Sequence, residues 1–242
     1  MVLILLCTFD DGNIINSSRS DIQLRINDYY HAIKKWLETN SISKCIIIEN
    51  SGYNSEKMNS LFLNYSSNNT SKTLEFLQFN GQNFDRNLGK GFGVYRSLLY
   101  LIENSELFSI NSKFAIVTGR YYLTNFEKIV MFSNAEIISD FQKKLTYAFN
   151  PLLLCSKLFI TDYLIKELPN SNDSYGIHYE HCLAKAVHKA IADGVTWDLP
   201  KQVPLIEGIS GTTNMPYYKN FFHKKIILLY SKLKYFIFSF SR

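Results

Sequence analysis

Short apolar runs alternate with amphipathic segments along the first half of this chain, and this order constrains the fold most. Residues 2–9 are almost entirely apolar, as is typical of a strand buried on both faces of a parallel sheet. Residues 20–40 carry apolar side chains at spacings of three and four, which predicts a helix capped by Ser20 or Asp21. Further strands are predicted at 44–53, more weakly at 73–80, and at 114–118.

Strand, helix and strand in this succession imply right-handed crossovers and a mostly parallel sheet covered by helices on both faces. A glycine-rich turn running into a helix is predicted at 87–108, and another helix at 174–194. The second half is less regular, and we expect shorter, mixed strands there. At 242 residues the chain suits one domain. We therefore predict a single Rossmann-like α/β domain over 1–216, followed by a separate tail at 217–242.

The cysteines and the N-terminal run indicate the compartment. The four cysteines lie far apart without a CxxC pair, so we expect reduced, buried thiols in a cytosolic protein. The apolar start lacks a basic segment and an A-x-A cleavage site, which favours a first strand over a signal peptide. No stretch of 18 uncharged apolar residues occurs, so no transmembrane helix is predicted.

The positive charge of the chain is concentrated in the tail. The whole chain carries +5, and 217–242 holds six cations and no acid, so the rest is nearly neutral and a nucleic-acid partner is not expected. Apolar side chains recur there at intervals of three and four: Phe222, Ile226, Leu229, Leu233, Phe236 and Phe240. An apolar helix face with basic flanks is typical of a helix lying in a membrane interface. The alternative is a helix that docks on the protein's own core or on a second copy in a homodimer.

Polar residues follow the predicted strands at the edge where sheets of this kind bind ligands. Thr8, Asp10 and Asp11 follow the first strand, and Asn50 ends the second. In a Rossmann-like fold, Asp10, Asp11 and Asn50 would stand where a nucleotide base or ribose is bound. Alternatively, the two aspartates are turn formers, or together they mimic a metal site.

The glycine-rich stretch 89–93 (GKGFG) matches neither the P-loop nor the GxGxxG spacing. A glycine-rich turn at a helix start would still expose backbone N–H groups to a diphosphate at Gly91, with Lys90 and Arg96 adding charge. The alternative is a tight connection between a strand and a helix.

Several motifs together resemble bacterial glycosyltransferases of O-antigen, lipooligosaccharide and capsule gene clusters. They are the strand end ENSGY at 49–53, the GKGFG turn, Thr118-Gly119-Arg120 at the fourth strand end, Tyr179-Glu180-His181, and PLIEGISGTTN at 204–214. The resemblance reaches from the first strand to about Asn214. One departure is Val94, where the turn of that family continues with glutamate.

The resemblance implies a GT-A-like fold and transfer of a sugar from a nucleotide-sugar donor to a glycan or lipid-linked acceptor. The enzyme would act at the inner face of the cytoplasmic membrane and would have no nucleic-acid partner. GT-A enzymes commonly hold a divalent metal with an Asp-x-Asp element, and Thr118-Gly119-Arg120 stands at that position without a carboxylate pair.

A departing nucleoside diphosphate needs stabilisation by a metal or by preorganised cations, and arginine offers a fork of donors matched to phosphate. We therefore expect Arg120, with Lys90 and Arg96, to replace the metal, so that no divalent cation or other cofactor is required. The alternatives are a metal-dependent enzyme using Asp10 and Asp11, and a non-catalytic glycan-binding or assembly subunit.

A general base is expected on the acceptor side if the transfer inverts. Glu180, near a predicted helix start, is the first candidate, with His178, Tyr179 and His181 as acceptor-side neighbours and Asp140 as the runner-up. Glu180 could instead serve only the helix dipole. Zinc is not expected, because the histidines around Glu180 lack a complete ligand set.

Overall fold

The computed structural model describes residues 1–12, 14, 17–68, 72–131, 135–142, 144–149, 151–218 and 221–240. Its strands are β1 (Val2–Cys7), β2 (Lys44–Glu49), β3 (Thr73–Gln78), β4 (Lys113–Thr118), β5 (Tyr122–Leu123), β6 (Ile137–Ile138), β7 (Leu153–Ser156), β8 (Trp197–Asp198) and β9 (Ile206–Glu207). Its α-helices are α1 (Ile22–Glu38), α2 (Glu56–Asn68), α3 (Gly89–Asn104), α4 (Glu106–Ile110), α5 (Phe126–Val130), α6 (Ile165–Glu167), α7 (Tyr179–Ala192) and α8 (Phe221–Phe240). A π-helix, Phe159–Leu164, leads into α6.

Among the described residues, seven strands form one sheet in the order β3-β2-β1-β4-β7-β6-β8. The first four are mutually parallel, whereas β7 runs antiparallel to both β4 and β6. A separate antiparallel pair joins β5 to β9. The predicted α/β fold, with a mostly parallel sheet and short mixed strands in the second half, is confirmed.

The sheet opens a crevice between β1 and β4. The chain goes from β1 to β2 on one side and reaches β4 on the other, so the carboxyl ends of β1 and β4 lie side by side at a switch point. Leu6 pairs with Thr118, and the Gly119 N–H donates to the Leu6 carbonyl at 2.8 Å. A Cβ atom at Gly119 would lie 2.5 Å from the Cys7 sulfur, so only glycine lets β4 leave the sheet this close to β1.

Alternating side chains of the strands supply two core layers. Val2 and Ile4 pack on the side of α3 and α7, whereas Leu3 and Leu5 pack on the side of α1, around Trp36. As predicted, all four cysteines are buried and free, namely Cys7, Cys45, Cys155 and Cys182. Of the two predicted caps of α1, the structure uses Asp21, whose carboxylate accepts from the Leu24 N–H at 2.9 Å.

The tail forms the long helix α8, which lies against the body. The Val203 N–H donates to the Ser231 hydroxyl at 3.2 Å, and the Lys234 ammonium donates to the Phe141 carbonyl at 3.0 Å. Tyr218, placed in the tail by the sequence, packs on the body and donates to the Pro204 carbonyl at 3.0 Å.

Part of the predicted tail is not covered. Lys219 and Arg242 lie outside the described residues, as do the side chains of Phe222 and Phe240. Within the described part of the chain, no helix combines the length and the apolar character needed to cross a membrane.

Candidate functional site

Two adjoining cavities lie at the carboxyl ends of β1 and β4. The smaller, of about 170 Å³, extends towards β2 and α1, and the larger, of about 460 Å³, extends towards β7 and α7. Both are lined by the same central residues: Leu6, Lys90, Val94, Thr118 and Arg120. The junction between the two cavities therefore carries two cations, Lys90 and Arg120.

Arg120 holds its guanidinium at this junction. Its Nε is buried and has no hydrogen-bond partner among the described residues. The guanidinium packs over Gly211, where a Cβ atom would lie 2.1 Å from one of its terminal nitrogens. A buried donor without an acceptor costs about 1–3 kcal/mol. An acceptor oxygen supplied by a ligand would remove this cost.

The loop that carries Gly211 covers the site. The Gly211 carbonyl accepts from the N–H groups of Ser18, at 2.9 Å, and Arg19, at 3.2 Å. The Ser18 hydroxyl donates to the Thr212 carbonyl at 2.7 Å. Gly211 belongs to the motif at 204–214, for which the sequence indicated no role.

Lys90 is the second cation at the junction. It lies in the first turn of α3, and its ammonium donates to the Thr212 hydroxyl at 3.3 Å. Burial, and next the positive charge of Arg120, lower the pKa of Lys90 from its usual value to about 8. The two cations thus repel each other, and an anion between them would relieve that repulsion.

The prediction of a glycine-rich turn is wrong, because residues 89–93 are already helical and form the start of α3. The Lys90 N–H at the start of this helix donates to the Asp173 carboxylate at 3.3 Å, so that N–H does not face a ligand. Gly91 lines the larger cavity, and it also packs closely, since a Cβ atom there would lie 2.1 Å from the Ser171 hydroxyl. The spacing of the glycines is compatible with a phosphate-binding turn and with close packing of a helix, and only the tertiary contacts distinguish these two roles.

Thr8 and Asn50, both predicted to bind the donor, line the smaller cavity. The Asn50 amide oxygen accepts from the Thr8 hydroxyl at 2.7 Å and from Gln82 at 2.9 Å. Its amide nitrogen donates to the Gly93 carbonyl at 3.1 Å and to the Ser97 hydroxyl at 3.0 Å. Asn50 therefore ties β1 and β2 to α3 and shapes this wall of the cavity.

Glu49, in the same ENSGY motif, has a structural role. Its carboxylate is fully buried and accepts from the N–H groups of Phe9 at 3.0 Å, Ser51 at 2.9 Å and Gly52 at 2.9 Å. The motif thus fixes the loops that follow β1 and β2. Because these loops frame the smaller cavity, the motif acts on the site through its shape.

Asp10 and Asp11 differ in their surroundings. The Asp11 carboxylate forms a buried ion pair with Arg25 at 2.8 Å and lines the smaller cavity. The Asp10 carboxylate accepts from the Gly12 N–H at 2.8 Å and lines neither cavity. Arg25 was not among the predicted site residues; its signal in the sequence is an arginine on the buried face of α1.

Arg120 follows β4 directly, at the position where the resemblance to GT-A enzymes placed the metal-binding Asp-x-Asp element, so this strand end carries a positive charge. Among the residues that the structure describes, no group of three or more histidine, cysteine, aspartate and glutamate side chains could hold a metal ion.

The larger cavity brings together three of the predicted acceptor-side residues, His178, Tyr179 and Glu180. It also brings in Asp173 and Tyr147, which the sequence did not single out. The Asp173 carboxylate pairs with His178 Nδ1 at 2.9 Å. Asp173 lies in a polar, turn-like stretch, so the local sequence did not distinguish a site residue from a residue that only forms a turn.

Tyr147 and Glu180 are linked on the same wall. Burial, and then the charge of Glu180 together with a side-chain hydrogen bond to it, raise the pKa of Tyr147 above its usual value. The phenol therefore stays protonated and donates to the carboxylate. Glu180 is a hydrogen-bonded carboxylate facing the larger cavity.

Five predicted residues line neither cavity: Asp10, Gly119, Asp140, His181 and Arg96. Asp140 forms an ion pair with Lys234 of α8. His181 accepts from the His178 N–H at 3.1 Å at the start of α7, and the half-buried Arg96 is not among the lining residues.

No protein-family model matches this chain, and no curated protein sequence matches it. Among solved structures it is similar to the bifunctional glycosyltransferase WbbM in its apo form, with a TM-score of 0.48 and 12% identity, covering 96% of this chain and 44% of that one. It is also similar to mouse xyloside xylosyltransferase 1 in its apo form, with a TM-score of 0.40 and 8% identity, covering 82% of this chain and 85% of that one. The chain thus spans less than half the length of WbbM.

Proposed function

We propose that this chain is a glycosyltransferase that moves a sugar from a nucleotide-sugar donor to a surface-polysaccharide or lipooligosaccharide acceptor without a divalent metal. The observation that carries the proposal is the Nε of Arg120, buried at the junction of the two cavities beside Lys90 and without a hydrogen-bond partner in the described part of the chain. Two cations between two cavities suit a diphosphate that links a nucleotide to a sugar.

The two cavities suggest a division of labour. The nucleotide would occupy the smaller cavity, the diphosphate the junction, and the sugar and acceptor the larger cavity, whose volume of about 460 Å³ is typical of ligand clefts. As the diphosphate leaves, negative charge grows on its oxygens. Arg120 and Lys90 would stabilise that charge, and preorganised cations do so without a reorganisation cost.

For a direct displacement, Glu180 is the proposed base. The acceptor hydroxyl oxygen forms a bond to the anomeric carbon, the bond from that carbon to the phosphate oxygen breaks, and the diphosphate leaves with the electron pair. The hydroxyl proton passes to the Glu180 carboxylate, which Tyr147 holds on the wall of the larger cavity. The His178–Asp173 pair faces the same space and would orient the acceptor.

The metal-dependent alternative would rely on Asp10 and Asp11. The ion pair of Asp11 with Arg25 argues against it, because a metal would have to compete with a buried guanidinium for that carboxylate. We place the proposed reaction at the inner face of the cytoplasmic membrane, as the resemblance to surface-glycan glycosyltransferases implies.

A thermal-shift screen with UDP, GDP, CDP and their sugars tests the proposal. A ligand that binds only the folded chain raises its melting temperature. We expect at least one nucleotide to stabilise the wild type in the presence of EDTA, and Arg120→Ala to lose most of that stabilisation. Arg96→Ala is the matched control, because Arg96 lines neither cavity, and it should respond as the wild type does.

The same screen separates the rivals. If no nucleotide shifts the melting temperature, the chain is better described as a non-catalytic glycan-binding or assembly subunit. If EDTA abolishes the shift, the metal-dependent alternative replaces the proposal.

A further inference from the structure

The outward face of α8 is a continuous apolar stripe. Its members are Ile226 (66% exposed), Leu229 (72%), Tyr230 (68%), Leu233 (56%), Phe236 (58%) and Ile237 (61%). They recur at helical spacing, so they form one surface about three turns long. Exposed large side chains occur singly on most proteins, but a contiguous patch of six marks a surface that meets an apolar partner.

The opposite face of α8 holds the helix on the body. Ser231 accepts from the Val203 N–H, and Lys234 binds both the Asp140 carboxylate and the Phe141 carbonyl. The Lys224 ammonium donates to the Thr124 hydroxyl at 3.4 Å. These contacts attach α8 to the body through its inner face and leave the apolar stripe on the outer face.

Positively charged side chains lie beside the apolar stripe. Lys225 and Lys232 are both exposed and lie two turns apart on α8, and the sequence of this helix contains no acid. A contact between two copies of α8 would bring these lysines close to their counterparts, with no carboxylate on the helix to compensate them. An anionic lipid surface offers negative charge to both lysines together with an apolar layer for the stripe.

We propose that α8 docks this protein on an anionic membrane interface, with the stripe in the lipid and the helix still packed on the body. This goes beyond glycosyl transfer and concerns a different surface. Tyr217 connects the α8 surface with the candidate site, because it lines the larger cavity and precedes the start of α8 by four residues. Docking through α8 brings this cavity to the membrane surface, where a lipid-linked acceptor would be presented. Asp140 serves here as a positioning residue, since it holds Lys234.

Co-sedimentation of the full chain with vesicles tests the proposal without any sugar substrate. We expect binding to phosphatidylcholine vesicles that contain phosphatidylglycerol, and much weaker binding to phosphatidylcholine alone. Leu229→Glu/Leu233→Glu should weaken binding by at least about tenfold, because each leucine buries a full side chain in lipid. Lys225→Gln/Lys232→Gln should weaken binding by about fivefold per lysine and remove the preference for the anionic lipid.

Leu63→Glu is the matched control, since Leu63 is 69% exposed on α2, away from α8, and its substitution should leave vesicle binding unchanged. The proposal is overturned if the wild type binds neither vesicle, or if the double leucine variant binds as the wild type does. It is also overturned if that variant merely turns a dimer into a monomer, because the stripe would then meet a second copy. A nucleotide thermal shift retained by the folded leucine variant keeps this test separate from that of the donor site.

Discussion

The guanidinium of Arg120 lies so close to Gly211 that a Cβ atom at position 211 would be 2.1 Å from one of its terminal nitrogens and 2.7 Å from its central carbon. The position of this arginine therefore depends on a loop that is far from it in sequence. The same loop is fixed by Ser18 and Arg19, which donate to the Gly211 carbonyl. Three separate segments of the chain thus meet at the junction of the two cavities.

Gly211→Ala should displace the Arg120 guanidinium and lower kcat, because the added methyl group occupies its place. A displacement of about 1 Å at a charge-stabilising group costs on the order of 10²-fold in rate. Transfer from the nucleotide sugar that gives the largest thermal shift is the measurement. Thr213→Ala, at an exposed position of the same loop, is the control and should keep its rate. An unchanged kcat in Gly211→Ala would show that this packing does not position Arg120.

Arg120→Ala should lower kcat by about 10²–10³-fold, the usual cost of removing one preorganised donor that stabilises transition-state charge. Arg120→Lys should recover only part of this, because an ammonium lacks the planar fork of the guanidinium. Steady-state kinetics with and without EDTA is the measurement. Turnover of Arg120→Ala at the wild-type rate contradicts a phosphate role for this residue.

The pKa of Lys90, lowered to about 8, predicts how donor binding changes with pH. A bound diphosphate favours the charged form of Lys90 and raises its pKa. Below pH 8 the lysine is charged with or without ligand, so affinity is flat. Above pH 8 the free site loses its proton and binding must take one up, so affinity falls by up to tenfold per pH unit. Titration calorimetry one unit below and one unit above this pKa measures the slope. Lys90→Arg should flatten it, because arginine stays protonated.

The sequence predicted the parts of the fold that local patterns determine. The apolar runs of β1, β2 and β4 and the period of α1 are sufficient to indicate a mostly parallel sheet. The convergence of Thr8 and Thr118 follows, because parallel strands end at one edge. Arg120 was identifiable for the same reason, since it follows β4 directly.

The rest of the site depends on contacts between distant segments. Asp173 and Tyr147 lie outside the regular helices and strands that the sequence predicted, and long-range contacts bring them to the cavity. Asp173 accepts from the Lys90 N–H of α3, and Ala148, next to Tyr147, donates its N–H to the Glu180 carbonyl of α7. Arg25 looked like one cation of an amphipathic helix until the loop after β1 supplied Asp11 as its partner. The glycines of α3 were interpreted as a phosphate-binding turn. The sequence alone does not show whether a glycine leaves room for a ligand or for a neighbouring segment of the protein.

Asn50→Ala should destabilise the fold by about 2 kcal/mol, because it removes a buried amide and leaves several hydrogen-bonding groups without their partner. Those groups are Thr8, Gln82, Gly93 and Ser97. Urea unfolding is the measurement. Asn59→Ala, which removes an exposed amide on α2, should change stability by less than about 0.5 kcal/mol. Equal effects of the two substitutions would contradict the bracing role of Asn50.

Two glycines of α3 should respond to alanine with opposite signs. At Gly91 the new Cβ atom would lie 2.1 Å from the hydroxyl oxygen of Ser171, which is fully buried, and 3.1 Å from the Tyr179 nitrogen. Overpacking of this kind costs about 1–3 kcal/mol. At Gly93 the nearest atom would be 3.6 Å away, an ordinary contact, and alanine should stabilise the helix by about 0.5–1 kcal/mol. The free energies of unfolding of the two variants, measured in urea, check this. If both fall together, α3 needs glycine for its conformation; if only Gly91→Ala falls, the stretch exists to let Ser171 and α7 approach the helix.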